Sequence, residues 1–126
     1  MKYRQFIDAM RQVAEPFPNA KNIFEEWQAD LPPEEWKEKQ TLDITAELVQ
    51  SFIDDMADFF RAIIGVAIQS DQPHEHLIKE GHTFLRAVHD RCQNIGIEMK
   101  DIATDVPLTL NGEGILAAES LIAMAV

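Results

Sequence analysis

Apolar residues recur at steps of three and four along most of this chain, and the longest such run lies between residues 43 and 70. On a helix of about 3.6 residues per turn, the run forms two adjacent apolar stripes that together are wider than a coiled-coil seam. One stripe contains Leu48, Phe52, Phe59, Ile63 and Val66, and the other contains Val49, Ile53, Met56, Phe60, Ile64 and Ala67. We therefore predict a long central helix, from an N-cap at Asp43 to about Ser70, along which the other helices pack.

The same periodicity predicts further helices on both sides of the central one. Their expected limits are Lys2 to Glu15, an Asn19 N-cap to about Asp30, Pro32-Pro33 to about Gln40, and about His74 to Asn94. Residues 97–106 leave room for one or two helical turns, and residues 115–126 form a last helix that is apolar on nearly every face. The predicted fold is all-α: one domain over residues 1–126, built as a compact bundle of four main helices plus one or two short ones.

Cysteine content and hydropathy limit the setting in which this chain works. The only cysteine is Cys92, so no internal disulfide can form, and we expect a cytoplasmic protein. The opening stretch MKYRQFIDAMRQ has no apolar core of the kind found in signal peptides. No run reaches the roughly 20 apolar residues of a membrane span, so we expect no membrane partner.

The chain is strongly acidic: it contains 22 acidic and 11 basic residues, for a net charge of −11. Residues 31–60 hold eight acids and two bases, a net of −6, whereas residues 61–90 have a net of −1. Such a segment disfavours direct binding of nucleic acid and favours a basic protein surface as partner. The alternative is a solvated face without a partner. The predicted partner-binding residues are Glu34, Glu35, Glu38, Glu47, Asp54, Asp55 and Asp58.

The C-terminal segment suggests a second kind of interface. A helix that is apolar on every face must be buried on every face, yet chain termini usually lie at the surface. A two-fold homodimer satisfies both conditions, while the alternative is a segment that completes the core of one chain. The predicted oligomer interface consists of Ile115, Leu116, Leu121, Ile122 and Met124.

The chain contains residues that could bind a metal or act as nucleophiles, but their spacing does not fit a site of either kind. The histidines His74, His76, His82 and His89 lie close together, near Cys92. His82 and His89 are two helical turns apart, about 10 Å, too far to chelate one ion. No Glu-x-x-His pair of a di-iron bundle occurs, and no serine lies in a nucleophile elbow. We therefore predict no metal, no cofactor and a non-enzymatic binding or regulatory protein. The alternatives are a structural homo-oligomer and a small metal- or nucleotide-dependent enzyme.

Overall fold

A computed structural model describes residues 1–108, and five helices lie in that range. They are α1 (Tyr3–Ala14), α2 (Pro18–Ala29), α3 (Pro33–Lys39), α4 (Ala46–Gln69) and α5 (Glu75–Asn94). Across residues 1–108 there is no strand, only one isolated antiparallel bridge between Lys2 and Asp43. The predicted all-α class is confirmed. None of these helices is both long and apolar enough to cross a bilayer.

The central helix, α4, packs against α2 and α5, while α1 packs against the same two helices. Its 24 residues span about 36 Å at 1.5 Å per residue. Every member of the second predicted stripe is buried, whereas only Phe52 is buried in the first. Val66 is 61% exposed. The neighbouring helices therefore cover one side of the broad apolar face, and the other side lies at the boundary with solvent.

Aromatic rings hold α1, α2 and α4 together around Phe52. The Phe52 ring meets Trp27 at a centroid distance of 5.3 Å and Phe6 at 5.5 Å, both edge to face. Phe24 completes the group at 6.1 Å. Because such pairs add to the free energy gained by burying each ring, this cluster is the centre of the core that positions the N-terminal half.

The start of the central helix differs from the prediction. Thr45, and not Asp43, is the N-cap: its hydroxyl accepts a hydrogen bond from the Leu48 amide at 3.2 Å. Asp43 instead pairs with the ammonium of Lys2 at 2.7 Å, and this contact holds the pKa of the Asp43 carboxyl below its usual range. The pairing ties the N-terminus of the described chain to the loop before α4.

The start of α2 also differs, and the reason is a residue far away in sequence. The N-cap is Phe17, followed by Pro18 in the first turn, so the prediction of Asn19 as the N-cap is wrong. Glu80 of α5 supplies the missing acceptor. One carboxylate oxygen accepts from the amides of Asn19 at 2.9 Å and Ala20 at 3.0 Å, and the other accepts from the Asn19 side chain at 3.0 Å. A carboxylate there also complements the positive end of the helix dipole.

Residues 97–106, which left room for one or two helical turns, contain a turn in which the Ile102 amide donates to the Met99 carbonyl at 3.1 Å. No helix forms between residues 97 and 108, and the segment returns to α4. The Gln50 side chain donates to the Ala103 carbonyl at 2.9 Å and accepts from the Ala103 amide at 2.8 Å. The guanidinium of Arg61 donates to the Pro107 carbonyl at 2.7 Å. These side chains replace the hydrogen bonds that a helix would have supplied, and the segment buries Met99, Ile102 and Leu108.

A buried glycine, Gly81, lets α5 approach its neighbours closely. A methyl group added at Gly81 would overlap the end of the Leu108 side chain and lie 3.1 Å from Phe60. We expect Gly81→Ala to lower the free energy of unfolding by about 1–3 kcal/mol through overpacking. Gly65→Ala is the control, because within residues 1–108 the added methyl group would meet nothing within 4 Å beyond the adjoining backbone of its own helix. It should gain about 0.5–1 kcal/mol, as alanine does over glycine in helices.

Urea denaturation of the two glycine variants measures this difference. Equal stabilities for Gly81→Ala and Gly65→Ala would mean that α5 and Leu108 do not approach as closely as described.

Candidate docking surface

The seven carboxylates predicted to bind a partner belong to two helices, and together we call them the acidic surface. Three lie on α3 and four on α4. Six of them are exposed and one, Asp55, is half-buried. The exposed members are Glu34, Glu35, Glu38, Glu47, Asp54 and Asp58.

Asp55 has a structural role that the sequence did not reveal. Its carboxylate accepts a hydrogen bond from the indole N–H of Trp27 at 3.0 Å, which links α2 to α4. Trp27 is only 7% exposed, so its N–H has few other partners within reach. A buried indole usually finds such a partner, and Asp55 therefore secures the core in addition to adding charge to the surface.

Tyr3 shows that the acids of α3 and α4 act on one region. Burial is the main reason why the pKa of its phenol is raised to about 12, and the negative charges of Asp55 and Glu35 raise it further. Trp36 of α3 packs against the same phenol ring at a centroid distance of 5.9 Å. One acid of each helix thus acts on the Tyr3 phenol, which packs against Trp36.

Only part of the acidic surface is neutralised locally. Glu35 pairs with Lys39 at 2.8 Å and Asp58 with Arg61 at 2.6 Å, both within one helix. Exposed pairs of this kind contribute little to stability. The remaining exposed carboxylates form no ion pair with any part of the described chain: Glu34, Glu38, Glu47 and Asp54. Within residues 1–108, Asp54 accepts one hydrogen bond, from the neutral side chain of Gln50 at 3.1 Å.

The histidines and the cysteine lie apart from this surface in sequence and differ in exposure. His74 is the N-cap of α5, and His76 and His82 are exposed. Cys92 is fully buried, and burial raises the pKa of its thiol to about 11, which disfavours the reactive thiolate. Between residues 1 and 108, no three His, Cys, Asp or Glu side chains come together in a way that could hold a metal ion.

An open groove beside α5 was not foreseen. It has a volume of about 330 Å³ and is lined by His82, Arg86 and His89 on the helix and by Thr104 and Asp105 across from it. The spacing of the three helical residues by four and three positions is visible in the sequence and marks one helix face. The opposite wall of the groove is not visible in the sequence, because it depends on the path by which residues 97–108 cross the bundle.

The predicted oligomer interface cannot be located on this surface, because Ile115, Leu116, Leu121, Ile122 and Met124 lie outside the described residues. Comparison of the chain with models of known families, with curated proteins and with solved structures finds no match.

Proposed function

We propose that this chain is a non-enzymatic binding protein that docks a basic protein surface on the carboxylates of α3 and α4. One observation carries the proposal: Glu34, Glu38, Glu47 and Asp54 are exposed without a cationic partner among residues 1–108. The segment that contains them has a net charge of −6. Concentrated charge of one sign attracts an oppositely charged partner and orients it during encounter.

Charge reversal tests the docking proposal. The protein captured by the immobilised chain from a host lysate is identified by mass spectrometry and purified, and its association rate with the chain is measured. We expect Glu38→Lys combined with Asp54→Lys to slow association about tenfold or more, because exposed charges act mainly on the association rate. Raising the salt concentration should slow the wild-type association as well, since it screens the charges.

The matched control reverses the same number of charges elsewhere. Asp90→Lys combined with Glu98→Lys changes the net charge equally, and both residues are exposed and outside the acidic surface. This variant should retain most of the wild-type association rate. Equal slowing by the two double variants, or an association that ignores salt, would contradict docking on α3 and α4.

A second candidate function, a structural homodimer, is favoured by the apolar strip on α4. Val66 is 61% exposed, and Phe59 and Ile63 beside it are only half-buried. Light scattering at micromolar concentration should give twice the chain mass if this strip and the C-terminal segment pair two copies.

Two variants separate dimerisation from folding. Val66→Asp places a charge on an exposed position, so it should halve the mass while leaving the thermal melt nearly unchanged. Leu121→Asp should do the same if its segment contributes to the interface. A wild-type mass equal to one chain, or dimers in both variants, would rule out this candidate.

A further inference from the structure

The groove beside α5 brings one cationic side chain, Arg86, together with two imidazoles in an otherwise acidic chain. We propose that it binds the phosphate group of a small phosphorylated molecule, with the Arg86 guanidinium as the main contact. This site is independent of the acidic surface and of the partner proposed for it.

Arg86 is available to bind an anion, because it has no ion pair with any residue from 1 to 108. Acidic residues nevertheless outnumber basic ones two to one in the chain. It is exposed, and His82 and His89 lie one turn before and one turn after it in the same groove. A guanidinium presents its N–H donors in a fixed planar fork that fits two oxygens of a phosphate or carboxylate. Each imidazole can add an N–H donor.

The number of donors favours phosphate over carboxylate. Thr104 lines the groove opposite the three helical side chains, and its hydroxyl is a further hydrogen-bond donor. A phosphate monoester presents three strong acceptor oxygens, whereas a carboxylate presents two. The volume of about 330 Å³ lies at the lower end of the range for small-molecule sites, and it suits a compact ligand.

Two acids act against the bound anion and make the proposal easy to test. Asp105 lines the groove itself, and Asp90 lies 3.4 Å from a ring nitrogen of His89. The net charge of −11 also repels anions, but charges beyond about 8 Å are largely screened at physiological salt. Binding therefore depends on the few groups in the groove, and removal of Asp105 should strengthen it.

Inorganic phosphate is the first probe, added to the full chain at constant ionic strength while the histidine ring signals are followed by NMR. We expect saturable shifts of the His82 and His89 signals, with those of His74 and His76 unmoved. Arg86→Gln should weaken binding by about tenfold, as expected for loss of a charge-assisted hydrogen bond. Asp105→Asn should tighten it by about threefold, because it removes a nearby like charge.

Arg4→Gln is the matched control, since Arg4 is exposed on α1 and does not line the groove. It should leave phosphate binding unchanged, and thermal melts should show that all three variants fold. Glycerol 3-phosphate should bind at least as tightly as phosphate, and glycerol should cause no shift. Non-saturable shifts, binding unaffected by Arg86→Gln, weaker binding in Asp105→Asn, or failure of glycerol 3-phosphate to bind would each overturn the proposal.

Discussion

Replacing Phe52 by alanine is expected to lower the free energy of unfolding by about 3–5 kcal/mol, the usual cost of removing a buried aromatic ring. Phe52 is 1% exposed, and its ring meets three other aromatic rings from α1 and α2. The substitution loses the transfer free energy of the ring and leaves a cavity that three helices would have to close. Urea denaturation of the full chain, followed by circular dichroism, measures the loss.

Phe59 provides the comparison within the same helix. The sequence pattern places Phe52 and Phe59 on the same apolar stripe, but Phe59 is only half-buried. Phe59→Ala should lower the free energy of unfolding by roughly half as much, because folding removes less of the Phe59 side chain from water. Asp54→Ala, at an exposed position, should change stability by less than about 0.5 kcal/mol. If Phe59→Ala proved as costly as Phe52→Ala, the described orientation of α4 would be wrong.

Replacing Glu80 by alanine should cost about 1.5–3 kcal/mol, the range for hydrogen bonds to a charged group. Its carboxylate accepts from two backbone amides at the start of α2 and from the Asn19 side chain. Without it, those amides face a helix start whose N-cap residue, Phe17, has no polar side chain. The measurement is again urea denaturation, together with hydrogen exchange at the Asn19 and Ala20 amides, which should speed up.

One further variant separates the charge of Glu80 from its hydrogen bonds, and a second serves as a control. Glu80→Gln keeps an acceptor but loses the charge, so it should recover part of the stability. Asp90→Ala, at an exposed position on the same helix, should cost less than about 0.5 kcal/mol. A Glu80→Ala variant as stable as Asp90→Ala would show that α2 needs no acceptor from α5.

Local pattern predicted the helices themselves, because the periodicity of apolar residues depends only on residues within a few turns of one another. Gly96, two residues after the end of α5, has a φ of +88°, which glycine adopts readily. The buried side of α4 was harder to predict from the sequence. Both apolar stripes of this helix are equally apolar, and periodicity does not reveal which one the neighbouring helices cover. Val66 lies on the stripe that they leave exposed.

Helix caps were predicted poorly because their partners lie far away in sequence. Asn19 and Asp43 both have the chemistry of an N-cap. One is instead bound by Glu80, 61 residues later, and the other by Lys2, 41 residues earlier. Local sequence patterns do not indicate contacts between residues that lie so far apart in the chain.

The candidate sites show the same division. Exposure of the acidic side chains on α4 follows from their positions opposite its apolar stripes, with one exception. Asp55 lies at the edge of the core, where Trp27 needs an acceptor, and no local pattern connects these two residues. The groove beside α5 was missed because Thr104 and Asp105 reach it through a segment without regular structure.

The packing of α1 on α5 has a consequence for synthesis on the ribosome. Tyr3–Ala14 and Glu75–Asn94 are separated by about 60 residues, which take roughly 3–12 s to translate at 5–20 residues per second. Helical bundles fold in microseconds to milliseconds once their parts are present. The part of α1 that packs on α5 therefore stays uncovered by α5 for a time set by translation. Codon usage between the two helices would control how long that surface is open to chaperones or to other nascent chains.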